Sequence, residues 1–399
     1  MGMGHGELCR LKKFPPGTGP TVAPQLFGII RAMRTTRSDV VEDSGGRPKY
    51  REVADRLRED LLSGKYAPGS AFPSVKMICR RFGVSHLTAV KAIESLKQMR
   101  LVKSRNGVGT FVARRMTSIG LIVPMLKQVE IFPPICQEFS RLCLEKGVSV
   151  DFADISSVRS DKVHSVVVAT ARRMVADKVS GVVFHPVDFG DDALKTNWEV
   201  LRIFKSADIP VVILDADVEA TPCEDRFDFV GVDNFEIGQF AGRHVIERGA
   251  KKIVFVTWSV MNDNVRRRLD GLVSAIAMKR GAKLTGQYVW QSDEVLMSRR
   301  WKGSMPDAVV CTSDLVAAHV LNLLRKIGKR CPQDVLVTGV NDVDIATIVS
   351  PALTTVHQPC RDIARAAFET LLWRFDNPEA EKRRIMLAAQ LVVRGSTAR

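Results

Sequence analysis

From Ile119 onward the chain alternates short apolar runs with amphipathic helical stretches, and this rhythm constrains the fold more than any other feature. The runs are IGLIVP (119–124), VSVDFA (148–153), GVVFHP (181–186), PVVILDA (210–216), FVGVD (229–233), KIVFVT (252–257), LTGQYV (284–289), AVVCTS (308–313), VLVTGV (335–340), LTTVHQP (353–359) and MLAAQLVV (386–393). Most are continuously apolar, as strands covered on both faces of a parallel sheet must be. Segments such as FEIGQFAGRHVIERG and DLVAAHVLNLLRKIG separate them with helical periodicity and close on glycine. Parallel neighbours require crossovers, so the pattern dictates an α/β architecture. There are more such units than one open sheet usually holds, which predicts two subdomains with a cleft at the carboxyl ends of their strands.

Residues 47–115 follow a different rule. YREVADRLREDLLSGKY places Val53, Leu57, Leu61 and Leu62 on one helical face and stops at Gly64. Ser74 then caps a short helix ended by Gly83, and Ser85 caps HLTAVKAIESLKQMR, giving a helix-turn-helix. Next comes LVKSRNGVGTFVARR, with two β-prone runs (101–104 and 110–113) around Asn106-Gly107. Its glycines invite comparison with a phosphate-cradling loop, but such loops lead into a helix N-terminus. Here a strand follows, and Asn-Gly between β-prone runs predicts a hairpin.

Charge supports separating this segment from the rest. The chain carries a net charge of +15, and residues 47–115 hold 16 Lys and Arg against 5 Asp and Glu. Residues 1–46 and 116–399 contribute only +2 each. Concentrated positive charge on a small helical domain is the footprint of a surface that neutralises phosphates.

The remaining features exclude more than they establish. Residues 1–46 contain FPPGTGP, TVAP and SDVVEDSGGRP without sustained periodicity and read as a disordered or non-native extension, Met33 offering a later start. The 8 cysteines include no C-x-x-C pair, which argues for free thiols in a reducing compartment and against a zinc ribbon. No apolar run is long enough to span a bilayer, and the N-terminus has no signal-peptide pattern, so a cytoplasmic protein without a membrane partner is expected. His185, Asp188, Asp191 and Asp192 in HPVDFGDD invite a metal reading, yet Asp between a strand and a helix is a natural N-cap, and no metal or cofactor is expected. The sequence lacks G-x-x-x-x-G-K-[ST], G-x-S-x-G and H-E-x-x-H, which disfavours an enzyme. A solute-binding protein without DNA function is the other competitor, and the basic segment and missing secretion signal count against it.

Both parts resemble known families. Residues 50–113 resemble the winged helix-turn-helix of GntR-type regulators through L-x-S-G-x-Y-x-P-G-x-x-F-P-S, F-G-V-S-x-x-T and N-G-x-G-T-F-V. Residues 119–396 resemble the periplasmic-binding-protein-like effector domain of LacI/GalR-type regulators through IGLIVP, FVGVDNFEIG, RRRLDG, P-x-L-T-T-V-x-Q-P and LVVRGST. The arabinose-responsive repressors of bacteria join similar modules in this order. The resemblance implies an extension (1–46), a winged helix-turn-helix DNA-binding domain (47–115) and a two-subdomain effector-binding and dimerisation domain (116–399). It further implies a homodimeric repressor that binds an inverted-repeat operator in double-stranded DNA and answers to a small carbohydrate.

A recognition helix offers its first residues to base edges, here Ser85, His86, Leu87, Thr88 and Lys91. His86 is suited to donate to guanine, and Leu87 to meet a thymine methyl. The resemblance adds Lys76 on the preceding helix, and Arg105, Asn106 and Gly107 form a hairpin tip narrow enough for a minor groove. His86 and Val90 stand where the family commonly has arginine. By the same resemblance Asp215, Arg268, Ser313 and Asn341 face the ligand, Ser313 replacing the usual asparagine and Asn341 the usual aspartate. Phe132 and Trp290 are candidates to stack on a sugar ring. Only Arg114 to Ser118 separate wing and effector domain, which leaves no room for a hinge helix and predicts signalling by reorientation of the DNA-binding domains.

Overall fold

The described chain opens with α1 (Lys49–Leu62), α2 (Val75–Phe82) and α3 (His86–Gln98), followed by the hairpin strands β1 (Val102–Arg105) and β2 (Gly109–Val112). In this computed structural model the described residues are 48–99, 101–105, 107–113, 116–123, 129–155, 158–190, 192–218, 227–258 and 262–398. The expected extension, residues 1–46, lies outside them, as do Asn106, Arg114, Arg115 and Asp191. The capping residues act as their chemistry requires. Ser74 Oγ accepts from the Met77 amide at 3.3 Å, Gly83 takes the left-handed conformation at φ 64°, and Ser85 Oγ accepts from the Thr88 amide at 3.3 Å. Leu57, Ile78, Ala89, Ile93, Leu96 and Val102 close a core beneath the helices.

The larger part runs β3 (Ser118–Val123), α4 (Phe132–Glu145), β4 (Ser149–Asp154), α5 (Val163–Ala176), β5 (Gly181–Phe184), α6 (Ala193–Ser206), β6 (Val211–Leu214) and β7 (Asp228–Val232). It continues with α7 (Asn234–Glu247), β8 (Lys252–Thr257), α8 (Asp263–Ala277), β9 (Lys283–Val289), α9 (Trp290–Gly303), β10 (Ala308–Cys311), α10 (Asp314–Lys326), β11 (Leu336–Asn341), α11 (Ile345–Ile348) and β12 (Thr354–His357). Last come α12 (Cys360–Asp376), β13 (Arg384–Leu387) and β14 (Gln390–Val392). Two six-stranded sheets result, in the orders β13-β7-β6-β5-β3-β4 and β14-β12-β11-β10-β8-β9. The paired strands are parallel apart from the antiparallel edge of β14 on β12. This is the α/β fold of two subdomains expected above.

The final apolar run departs from expectation. Residues 386–393 read as one strand, but the structure divides them between sheets. Met386 belongs to β13 and pairs with Gly231 in the first sheet, whereas Leu391 pairs with Val356 in the second. Ala388 and Ala389 carry the chain across. Nothing in the local composition marks this break, because each half satisfies its backbone groups equally well at a sheet edge. The chain crosses between subdomains at Asp233, again between His357 and Cys360, and a third time here.

Arg374 delivers β13 to its neighbour. The guanidinium is buried and grips Asp228 with two hydrogen bonds, Nε to Oδ2 at 2.6 Å and Nη2 to Oδ1 at 2.9 Å. It also donates to the carbonyls of Asn377, Pro378 and Glu381, folding that segment back so that the Arg383 amide reaches Asp228 at 2.8 Å. Beside this anchor, Asp376 pairs with Lys103 of the hairpin, so the two domains touch at the end of α12.

Glycines set the contact between α7 and α8. A Cβ on Gly238 would lie 1.9 Å from the carbonyl oxygen of Arg268, and one on Gly271 would lie 2.0 Å from that of Phe235. The two helices therefore meet backbone to backbone.

Candidate nucleic-acid interface and ligand cleft

On the N-terminal domain, the outward face of α3 begins with His86 and Leu87 and continues through Val90 and Lys91, all exposed, while Ala89, Ala92 and Ile93 are buried behind it. Ser85 and Thr88 are occupied with each other, their hydroxyls 2.9 Å apart. Lys76 is exposed on α2. Arg81, by contrast, is spent internally, on Asp60 at 2.6 Å and the Tyr66 hydroxyl at 3.0 Å, and this pairing draws the Asp60 carboxyl below its ordinary range. The expected hairpin is present, with Arg105 opposite Gly109 and Lys103 opposite Phe111. Gly107 and Gly109 supply the positive φ that the turn needs, at 75° and 137°. Of the tip residues, Asn106 and the Arg105 side chain lie outside the described portion.

In the larger domain the strand ends converge as expected. Asp215 follows β6, Asn341 ends β11 and Asp342 follows it, and all three have positive φ, at 63°, 117° and 58°. Non-glycine residues held in this region are costly and cluster where surrounding structure over-determines a site.

Asp215 and Arg268 belong to one polar chain. Arg268 Nε donates to Asn234 Oδ1 at 2.8 Å, and its Nη1 donates to the Thr312 carbonyl at 2.6 Å. Asn234 Nδ2 donates to Asn264 Oδ1 at 2.9 Å, and Asn264 Nδ2 donates to Asp215 Oδ2 at 3.1 Å. His185 Nε2 lies 3.6 Å from the same carboxylate oxygen, and the edge of Phe132 packs on the imidazole with centroids 4.5 Å apart. Burial pushes the Arg268 guanidinium down, while Asp215, Asp314 and Glu130 hold it up.

Two buried atoms of this chain have no partner among the described residues, Asp215 Oδ1 and His185 Nδ1. Asp215 Oδ1 is an acceptor, and His185 Nδ1 accepts or donates according to the tautomer. A buried polar atom without a partner is expensive, so these two mark the place where the polar chain is left incomplete.

Asn341 and Ser313 are placed differently. Asn341 Nδ2 donates to Glu130 Oε2 at 2.8 Å, and its Oδ1 accepts from Gln358 Nε2 at 2.8 Å. Ser313 Oγ caps α10 by accepting from the Val316 amide at 3.3 Å. Glu130 precedes α4 in the first subdomain but takes the backbone amides of Asp314 and Leu315 in the second, and burial pushes its carboxyl up. Asp314, fully buried, accepts from the Thr355 hydroxyl at 2.6 Å and the Val343 amide at 3.0 Å; burial pushes it up to about 7, with Glu130 and Asp342 adding to the rise. A cavity of about 680 Å³ opens on Glu130 and Asn341, walled by Pro133, Pro134 and His357.

The aromatic candidates sit back from the opening. Phe132 is fully buried, and Trp290 is buried and stacked on His319, with centroids 5.2 Å apart. Trp258, just after β8, flanks His319 from another side and is 37% exposed. Sequence reading passed over Trp258, Glu130, Asn234, Asn264 and Asp314. Asn234 lies within the recognisable FVGVDNFEIG, but its role emerges only when α8 is placed beside α7. In HPVDFGDD, Asp188 accepts from Asn262 Nδ2 at 2.6 Å across the subdomains. Asp192 stands at the N-cap position of α6 without a side-chain capping bond. No group of three or more His, Cys, Asp or Glu is arranged to hold a metal ion among the described residues. Nor is any described helix long and apolar enough to cross a membrane.

Comparison with known proteins agrees with both halves. Residues 49–112 match the gntR family of bacterial regulatory proteins, and residues 243–397 match the periplasmic binding protein-like domain. The HTH-type transcriptional repressor PurR of Vibrio vulnificus is 26% identical over 347 residues, covering 80% of this chain and 97% of PurR. A LacI family transcriptional regulator from Enterococcus faecium, solved with bound ribose, superposes with a TM-score of 0.58 at 22% identity, covering 71% of this chain and 99% of that one. The cellobiose complex of the transcriptional regulator CelR gives 0.58 at 21% identity, covering 82% of this chain and 100% of that one. The chain thus joins a domain of the gntR family of bacterial regulatory proteins to a periplasmic binding protein-like domain, in the fold that LacI family regulators also have.

Proposed function

We propose that the protein is a cytoplasmic homodimeric transcriptional repressor, without catalytic activity or cofactor, whose grip on an inverted-repeat operator is set by a small carbohydrate in the effector cleft. Dimer symmetry gives each half-site the same protein surface. On the DNA side, His86, Leu87 and Lys91 read the major groove, Ser85 and Thr88 fix the start of α3, Lys76 neutralises phosphate, and Arg105, Asn106 and Gly107 form the wing tip. Domain limits of 47–115 and 116–399 fit this division of work.

The observation that carries ligand control is the pair of orphaned buried atoms, Asp215 Oδ1 and His185 Nδ1, beside the polar chain that also holds Arg268. A ligand that fits them brings at least one donor for the carboxylate and a hydroxyl that can meet either tautomer of the imidazole. Three carboxyl groups, on Asp215, Asp314 and Glu130, act on a single guanidinium there, which disfavours an anionic ligand. A polyol ring meets both conditions, and the ribose and cellobiose held by the similar regulators are of this kind. Asp215 and Arg268 bind it directly. Ser313 and Asn341 border it through the α10 cap and Glu130, while Phe132 and Trp290 support the walls. The contact of Lys103 with Asp376 supports transmission by reorientation of the DNA-binding domains.

The test is DNA binding at increasing salt, with and without candidate mono- and oligosaccharides chosen by thermal shift. Sequence-selective, salt-dependent binding that changes with one sugar is expected. Binding with neither sequence preference nor salt dependence refutes the regulator reading, and indifference to every neutral polyol refutes the ligand assignment.

A further inference from the structure

The recognition helix has no arginine: its residues are HLTAVKAIESLKQ. Of the outward polar groups in its first two turns, the Thr88 hydroxyl is bonded to that of Ser85, and His86 and Lys91 remain; further along the same face Glu94 pairs with Lys97 and Gln98 is exposed. The same face exposes apolar surface, Leu87 at 63% and Val90 at 38%. They stand three residues apart, so they lie on one side of the helix, opposite the buried Ala89, Ala92 and Ile93. Their separation along the axis, about 4.5 Å, is close to the base-pair spacing of about 3.4 Å. Neighbouring base pairs are therefore within reach of the two side chains.

Positive charge identifies the occupant of this face. Lys76 and Lys91 are exposed around it on the domain that carries most of the chain's excess of basic residues. An apolar stripe framed by cations suits a groove walled by phosphates, and the apolar group that a major groove displays is the thymine C5 methyl.

We infer that Leu87 and Val90 are specificity-determining residues that recognise thymine methyl groups on neighbouring base pairs of each half-site. This rests on the DNA-binding reading above and adds to it the chemistry of the contact. Where a guanidinium would choose guanine by two hydrogen bonds, these side chains choose thymine by burying a methyl group.

The experiment uses the full-length protein and a randomised duplex pool, followed by replacement of each thymine in the selected duplex by deoxyuridine, which removes only the methyl. Enriched half-sites should contain adjacent thymine-bearing pairs, and each critical replacement should weaken binding about fourfold, the worth of one buried methyl or methylene. L87A, a change at an exposed position, should retain salt-dependent binding but lose the deoxyuridine penalty at one position, and V90A should lose it at the next. Uracil penalties below twofold throughout, or penalties unchanged in both variants, overturn the inference while leaving DNA binding intact. A pool that yields no enriched sequence overturns the DNA-binding reading itself, and this inference with it.

Discussion

Replacing Gly238 by alanine tests whether backbone contact between α7 and α8 sets the position of Arg268. In an ordinary exposed helix the change would stabilise by about 1 kcal/mol through helix propensity alone. Here the added Cβ would sit 1.9 Å from the Arg268 carbonyl oxygen, against a van der Waals contact of 3.4 Å or more. The obstacle is backbone, so no rotamer change relieves it; α8 must move away by roughly 1.5 Å. A displacement of that size would stretch the 2.8 and 2.6 Å bonds from Arg268 to Asn234 and Thr312 beyond hydrogen-bonding range. Overpacking and broken buried bonds together outweigh the propensity gain, for a net loss of about 2 kcal/mol or more. G271A, whose Cβ meets Phe235 backbone at 2.0 Å, should behave alike, whereas G242A meets the side chains of Ala275 and Leu272 at 2.9 Å and should cost less. Urea unfolding of the three variants gives the order, and sugar binding should fall most in the first two. If G238A proved as stable as the parent and bound sugar as well, the argument from helix contact would be wrong.

Three further outcomes follow from the geometry. Asp314 holds its proton to about pH 7 when folded but only to about its ordinary 3.8 when unfolded, so the native state binds more protons between these values and stability falls as pH rises through that window. Relative to D314N, which cannot ionise, the parent should lose up to about 4 kcal/mol between pH 4 and pH 7; parallel urea midpoints for the two proteins would refute this. R374M leaves buried Asp228 without its partner and should cost about 3–5 kcal/mol, with new protease cleavage within residues 377–383; unchanged stability and cleavage would count against the anchor. D215N supplies an amide that accepts through one oxygen only, and it should lower sugar affinity about tenfold or more, the worth of a buried hydrogen bond to a charged group, with far-UV circular dichroism unchanged. Affinity within twofold of the parent, by calorimetry, would remove Asp215 from the site.

Much of the fold was legible because it is written locally. Ser74, Gly83 and Ser85 bound the helices of the N-terminal domain by side-chain and φ preferences that do not depend on distant residues. The continuous apolar runs gave the parallel strands for the same reason. Residues 386–393 misled because β propensity is indifferent to which sheet receives a strand. The site was legible only in part. Asp215 and Arg268 lie within recognisable patterns, but Asn264 joins them by virtue of the α7–α8 approach, which two glycines permit. Glu130 lies just after residues outside the described set, and its role depends on the end of a strand 211 positions later.

The division of the last strands between two sheets also bears on synthesis. The helix-turn-helix and hairpin are contiguous and can fold as soon as they leave the ribosome. Neither lobe of the sensor can, since one waits for α12 and β13 and the other for β14. At ordinary elongation rates this leaves an interval on the order of tens of seconds. During it a nascent chain presents a folded helix-turn-helix with neither lobe complete, and so without the second copy that the proposed dimer requires; a prematurely terminated chain would remain in that state.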